Sequence, residues 1–145
     1  MESAEINKIL VPTDFSEPAL KALRYAVGLA SRLQAALTLL YVVEPAIYPA
    51  ELGIAVNIEG DLMDRGREQI TKLAAQECGA IATDTEVITG VADLKIVETA
   101  EERSVDMIVM GTHGHSGLAH VLLGSTTERV VRKAPCPVLT IRSSE

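Results

Sequence analysis

The 145-residue chain is poor in aromatic side chains, with no Trp, three Tyr and one Phe, 3% in all. Proteins that grip single-stranded nucleic acid stack bases on aromatic platforms, so this scarcity argues against that role. Positive charge is also in deficit: 13 Lys and Arg against 20 Asp and Glu leave a net charge of −7. Such a surface repels polyphosphate backbones at long range, so no nucleic-acid partner is expected, and any anion site must rest on short-range donors. Cysteine occurs only at Cys78 and Cys136. Two isolated thiols make neither a metal-type cluster nor a disulfide framework; they fit a reducing compartment and are expected to be buried as small hydrophobes. No apolar run approaches the ~18–20 residues that span a bilayer, and Met1-Glu2-Ser3-Ala4-Glu5 lacks the basic start and apolar stretch of a signal peptide. The expectation is a cytoplasmic protein without a membrane partner.

What is abundant is aliphatic. Hydrophobic residues make up 48% of the chain, and a chain of this size is ordinarily one domain, here 1–145, able to bury roughly 68–70% of its unfolded surface. Strand-like runs at Lys8–Val11, Ala36–Val43, Thr85–Thr89, Met107–Met110 and Val138–Arg142 alternate with segments at helical spacing. Leu20, Leu23, Val27 and Ala30 mark a first helix, with Ser16 as its cap and Pro18 in its first turn. Met63, Ile70, Leu73 and Ala74 mark a second, ending near Gly79. Ile96, Val97 and Ala100 mark a third, beginning near Asp93, and a fourth runs from Thr126 to Lys133. Strands separated by helices imply parallel neighbours joined by right-handed crossovers, hence an α/β three-layer sandwich around a five-stranded, mainly parallel sheet. Between the second strand and second helix, Glu44–Gly60 holds Pro45, Pro49, Gly53 and Gly60. It is too long for an ordinary connection and is either a lid or a surface loop.

One constellation points to chemistry. Met110-Gly111-Thr112-His113-Gly114 follows an apolar strand, and nine residues later Gly124-Ser125-Thr126 opens a helix. Glycines without Cβ at 111 and 114 can take positive φ and admit a ligand to the main chain. Ser125 after Gly124 suits a helix N-cap, where free N–H groups and the positive dipole end favour an anion. Ser125-Thr126-Thr127-Glu128 also fits a capping box that needs no ligand; both uses can coexist. The spacing is neither the dinucleotide nor the P-loop fingerprint. In a doubly wound sheet, ligands settle beyond the carboxyl ends of the strands where strand order reverses. That rule selects Pro12–Ser16 and Gly111–Gly114. Asp14 there serves either a ligand hydroxyl or amino group or the turn itself, and His113 either a ligand or a turn bond. No Ser-His-Asp order or metal-binding histidine pair stands out, and the loop lacks the P-loop lysine, so strong catalysis is not indicated.

Gly111-x2-Gly114-x9-Gly124-Ser125, with Ile9-Leu10-Val11-Pro12-Thr13-Asp14-Phe15-Ser16 before it and Ala134-Pro135-Cys136-Pro137-Val138-Leu139 after it, resembles the nucleotide-binding branch of the universal stress protein family. The resemblance covers nearly the whole chain and implies an adenine nucleotide alpha hydrolase-like fold that binds ATP, accompanied by Mg²⁺ with no assigned ligand. Adenine and ribose would meet Pro12, Thr13, Asp14, Val42, Met110 and Gly111, with Val42 holding adenine through backbone groups. The phosphates would meet Gly114, Gly124, Ser125 and Thr126, with His113 against ribose or phosphate. Where similar proteins often carry Arg or Lys, this chain has His115 and His120, which predicts ATP binding that tightens as pH falls if either faces the phosphates. The resemblance further implies a homodimer paired through Val138–Arg142, an apolar run suited to a sheet edge. The function expected is a nucleotide-dependent regulatory dimer. A dimeric interaction protein with an empty pocket and a slow or self-phosphorylating ATPase are the alternatives.

Overall fold

Strands and helices alternate along the chain: β1 (Lys8–Pro12), α1 (Glu17–Leu33), β2 (Ala36–Val43), α2 (Ala55–Glu77), β3 (Thr83–Thr89), α3 (Ala92–Glu102), β4 (Met107–Gly111), α4 (Ser125–Lys133) and β5 (Val138–Ile141). The computed structural model describes residues 4–45, 55–113 and 123–143. The five strands form one sheet in the order β3-β2-β1-β4-β5, and every neighbouring pair is parallel. The chain starts in the middle, winds outward through β2 to β3, then returns beside β1 and winds outward the other way.

Right-handed crossovers place the helices of the two windings on opposite faces. The core follows that rule. Ile9, Val11, Leu37, Leu39 and Val109 pack with Ala22, Leu23, Ala26 and Ala30 of α1 and Ile70 of α2. The alternate strand residues Leu10, Leu40, Ile108 and Met110 pack with Ile96 and Ala100 of α3 and Val130 of α4. Both sides of the central strands are therefore apolar, and the expected three-layer α/β sandwich is the observed one.

Helix α1 shows how local chemistry sets the layer spacing. Ser16 holds the N-cap in extended geometry and its hydroxyl oxygen accepts the Ala19 N–H at 3.3 Å, while a proline sits in the first turn. The fully buried stripe is Ala19, Ala22, Leu23, Ala26 and Ala30, with the expected Leu20 and Val27 only half-buried beside it. Small side chains let the helix axis come close to the sheet.

Several boundaries differ from the sequence expectation by one or two residues, β3 starting at Thr83 and not at Thr85, and two other differences bear on the connection before α2 and on the sheet edge. Helix α2 starts at Ala55, so the last six residues of the expected Glu44–Gly60 connection are helical. Gly60 is a helix-interior glycine, whose cost of about 1 kcal/mol a long helix can absorb. Residues 46–54, and with them the question of a lid, lie outside the described residues. Strand β5 ends at Ile141, with Arg142 exposed beyond it. Cys78 is buried as expected, but Cys136 is only partly so; burial pushes both thiols above their ordinary range, which keeps them protonated. Among the described residues no helix is long and apolar enough to cross a membrane.

Candidate functional site

Strand order reverses between β1 and β4, and the carboxyl ends of these two strands open onto a cavity of about 540 Å³. Its first wall is the turn after β1. The Thr13 N–H donates to the Leu40 carbonyl at 2.8 Å, so the turn is tied to β2 as the strand ends. Thr13 Oγ1 then accepts the Phe15 N–H at 3.0 Å, and Asp14 Oδ1 accepts both the Ser16 N–H at 3.0 Å and the Ser16 hydroxyl. Asp14 therefore organises the turn and lines the cavity as well. Phe15 is left with φ of 63°, which costs a residue with a Cβ roughly 1–2 kcal/mol. Its ring meets Tyr41 edge-on with centroids 4.8 Å apart, a contact that helps hold the strained residue in place.

The second wall is the bend after β4 together with the start of α4. The Gly124 N–H donates to the Thr112 carbonyl at 2.7 Å, and the Thr112 N–H to the Ile141 carbonyl at 3.1 Å. The buried Thr127 hydroxyl donates to the Gly111 carbonyl at 2.9 Å. Three hydrogen bonds thus lock the bend to α4 and β5.

Glycine suits this wall for a reason other than the one expected. Neither Gly111 nor Gly124 has positive φ; among the described glycines, only Gly79 and Gly90 do. Instead, a Cβ on Gly111 would stand 3.1 Å from the Pro18 carbonyl oxygen and 3.2 Å from that of His113, and one on Gly124 would stand 3.3 Å from the Thr112 oxygen. Close approach of backbone to backbone is what disfavours a side chain here, because its neighbours would have to give by a few tenths of an ångström.

The expected capping box does not form. Gly124 is the N-cap of α4 and makes no side-chain cap; its carbonyl accepts the Glu128 N–H at 2.9 Å. Ser125 is pushed into the first helical position, and Glu128 turns to an ion pair with Arg132 at 2.8 Å. The box fails because the tight approach to Thr112 places a glycine, not the serine, at the cap.

This shift matters electrostatically. Three helices bring their first turns to the cavity wall. Helix α1 is capped by Ser16. Helix α3 gets no capping hydrogen bond from its own N-cap residue, Val91, but Glu44 Oε1 accepts the Ala92 N–H at 3.0 Å. Only α4 presents a first turn without a side-chain cap among the described residues, and the donors there carry the partial positive charge of the helix end.

Pro12, Thr13, Asp14, Val42, Met110, Gly111, His113, Gly124, Ser125 and Thr126 all line this one cavity. Gly114 lies outside the described residues, as do His115 and His120. Sequence reasoning missed Glu44, Tyr41, Ala92, Ile96 and Thr127, which line it too. An acid directly after the apolar run of β2 was the available signal for Glu44. In sequence Thr127 reads only as an inner position of the capping box.

A parallel sheet wound in both directions, with a cavity at its switch point walled by two close backbone approaches at glycine, defines a doubly wound α/β domain with a candidate ligand cleft. Comparison with known proteins narrows the class. The family model described as "Universal stress protein family" matches residues 5–142, and the chain belongs to that family. Universal stress protein MJ0531 of Methanocaldococcus jannaschii is 40% identical over 141 residues, covering 94% of this chain and 82% of its own length. The solved structure of MJ0577, from the same organism, superposes with a TM-score of 0.87 at 29% identity over 97% of this chain and 99% of that one. A universal stress protein solved in complex with cAMP gives a TM-score of 0.69 at 26% identity over 98% of this chain and all of that one.

Proposed function

We propose that this universal stress protein binds ATP in the cavity between β1 and β4 and works as a cytoplasmic, nucleotide-dependent regulatory homodimer. The observation that carries the reading is the division of the cavity wall into two chemistries. On one side the β1 turn, the end of β2 and the carboxylates of Asp14 and Glu44 offer acceptors and apolar surface, suited to an adenosine with its amino and hydroxyl donors. On the other side stands the uncapped first turn of α4 with the hydroxyls of Ser125 and Thr126, suited to phosphate oxygens. The volume, about 540 Å³, falls within the usual range of ligand clefts. The related protein solved with cAMP supports an adenine nucleotide as the ligand class.

Mg²⁺ would come with the triphosphate. Mg²⁺ characteristically keeps several waters and binds substrate phosphates with few protein ligands, so phosphate and water would hold most of its coordination. The dimer would pair through β5, which lies at one edge of the sheet.

Isothermal titration with adenosine, AMP, ADP and ATP, with and without Mg²⁺, tests the reading. ATP binding that Ser125→Ala and Gly124→Val each weaken is the expected result, with a dimeric mass by sedimentation. No heat with any adenine compound at millimolar concentration would reject the ligand; a monomer at micromolar concentration would reject the dimer.

A further inference from the structure

The turn after β1 faces two ways. Thr13 and Asp14 line the cavity, whereas the next residue, Phe15, packs against the core on the α1 and α2 side of the sheet. A left-handed residue with a Cβ persists only where its surroundings over-determine it, and three groups do so here. Thr13 Oγ1 accepts the Phe15 N–H, Asp14 Oδ1 accepts the Ser16 N–H, and the Tyr41 ring meets the Phe15 ring edge-on. Two of the three belong to the cavity wall. A ligand that bonds to Thr13 or Asp14 therefore acts on the same turn that sets where the Phe15 ring stands.

The third group leads away from the cavity. Gly66 is buried in the middle of α2, and a Cβ there would stand 2.9 Å from Tyr41 Cδ2 and 3.3 Å from Val87 Cγ1. With no side chain at 66 to flex, the backbone of α2 rests on the Tyr41 ring, and a displaced ring moves the helix or leaves a void. No described residue of α2 lines the cavity. The geometry points to a relay from the nucleotide cavity to α2: occupancy of the Thr13–Asp14 turn fixes Phe15, Phe15 fixes Tyr41, and Tyr41 fixes the seat of α2 at Gly66. The inference rests on the nucleotide-binding reading and supplies a route by which occupancy reaches the α2 face of the sheet. A ligand with equal affinity for two states moves nothing, so the differential contact lies at Thr13 and Asp14, where ligand and turn share atoms. Coupling of this kind is reciprocal. Binding that favours the seated state steadies α2, and a change that unseats α2 weakens the ligand by the same factor.

Two measurements on the full chain test it. NMR follows the backbone amides of α2 as ATP is added, and those from Gly66 to Ile70 should shift in the wild-type protein. In Phe15→Gly they should stay in place, since glycine keeps the left-handed angle without strain but has no ring to pass the motion on. A double-mutant cycle reads the coupling itself. Gly66→Ala should weaken ATP binding by about five- to tenfold in the wild-type background, and beside Phe15→Gly by no more than about twofold, the usual scatter of uncoupled sites. Unmoved α2 amides in wild type saturated with ATP, a Phe15→Gly variant that keeps the shifts, or equal Gly66→Ala penalties in the two backgrounds would each overturn the relay while nucleotide binding stands. A folded Phe15→Gly variant that no longer binds ATP would overturn it too, because Phe15 would then be part of the wall itself. If that variant fails to fold, the wild-type spectra decide. A wild-type protein that binds no adenine compound removes the binding reading and the relay together.

Discussion

Two helix-interior glycines should respond to the same substitution with opposite sign. Gly28 in α1 is exposed, and a Cβ there would have nothing within 4 Å. Gly28→Ala should stabilise the fold by about 0.5–1 kcal/mol, through helix propensity and the smaller entropy of the unfolded chain. Gly66 in α2 would gain as much, but its Cβ would stand 2.9 Å from Tyr41 Cδ2, 3.0 Å from Tyr41 Cε2 and 3.3 Å from Val87 Cγ1. These are mid-ring atoms of a side chain already against Phe15, not the free end of a flexible one. Relieving the clash moves a ring or tilts the helix, and such overpacking costs about 1–3 kcal/mol. The clash wins, for a net loss of about 0–2.5 kcal/mol. With a urea slope of about 1–3 kcal/mol per molar, Gly28→Ala should raise the unfolding midpoint by a few tenths molar, and Gly66→Ala should lower it. Because Tyr41 lines the cavity and touches the strained Phe15, Gly66→Ala should weaken nucleotide binding as well. Equal upward shifts for the two variants would refute the reasoning, since they would mean that the Tyr41 ring yields at no cost.

Other substitutions address the stitched bend and the Arg24–Glu77 ion pair. Thr127→Val should cost about 1–3 kcal/mol, because the Gly111 carbonyl loses the hydroxyl at 2.9 Å, whereas Thr127→Ser should keep most of the stability; urea unfolding that ranks Val with Ser would remove the bond from the account. Arg24 donates to Glu77 from Nε at 3.0 Å and from Nη2 at 3.3 Å. That hydrogen bond holds the Glu77 carboxyl below its ordinary range, burial opposing it and charge attraction adding to it. A depressed carboxylate contributes stability above its unfolded value, about 4.3, and loses it as pH falls through the folded value. Thermal unfolding should therefore separate wild type from Arg24→Gln slightly at pH 7, with the gap closing in acid and in high salt; a gap that persists at about pH 2 would assign the effect to packing of the arginine stem.

The layers of this fold were legible because parallel strands buried on both faces leave a dense, nearly local signal. Ile9-Leu10-Val11 and Leu39-Leu40 are apolar without alternation, and each of these residues serves one of two cores. The switch point followed from topology, and most expected site residues came to one cavity because loops after β1 and β4 have nowhere else to go. The misses share a different origin. The capping box at Ser125 was a sound local pattern, defeated by a contact between Gly124 and Thr112, twelve positions apart in sequence. Glu44 was seen as the start of a connection, although its carboxylate caps a helix that begins at Ala92.

Glycine shows why such features resist a local reading. A glycine serves either a backbone angle or a close neighbour, and the two uses look identical in one dimension. Gly79 serves the angle, with φ of 54°, and Gly90, with φ of 147°, serves both, since a Cβ there would also stand 2.7 Å from Lys95 Cγ. Gly66, Gly111 and Gly124 serve proximity, to Tyr41, to Pro18 and to Thr112, and no pattern around any of them names the partner. Two of those three approaches build the wall on which the proposed phosphate site stands. Its chemistry is therefore set by which backbones meet after folding: Gly124 has to approach Thr112, so Ser125 is released from capping, and α4 keeps an open first turn facing the cavity.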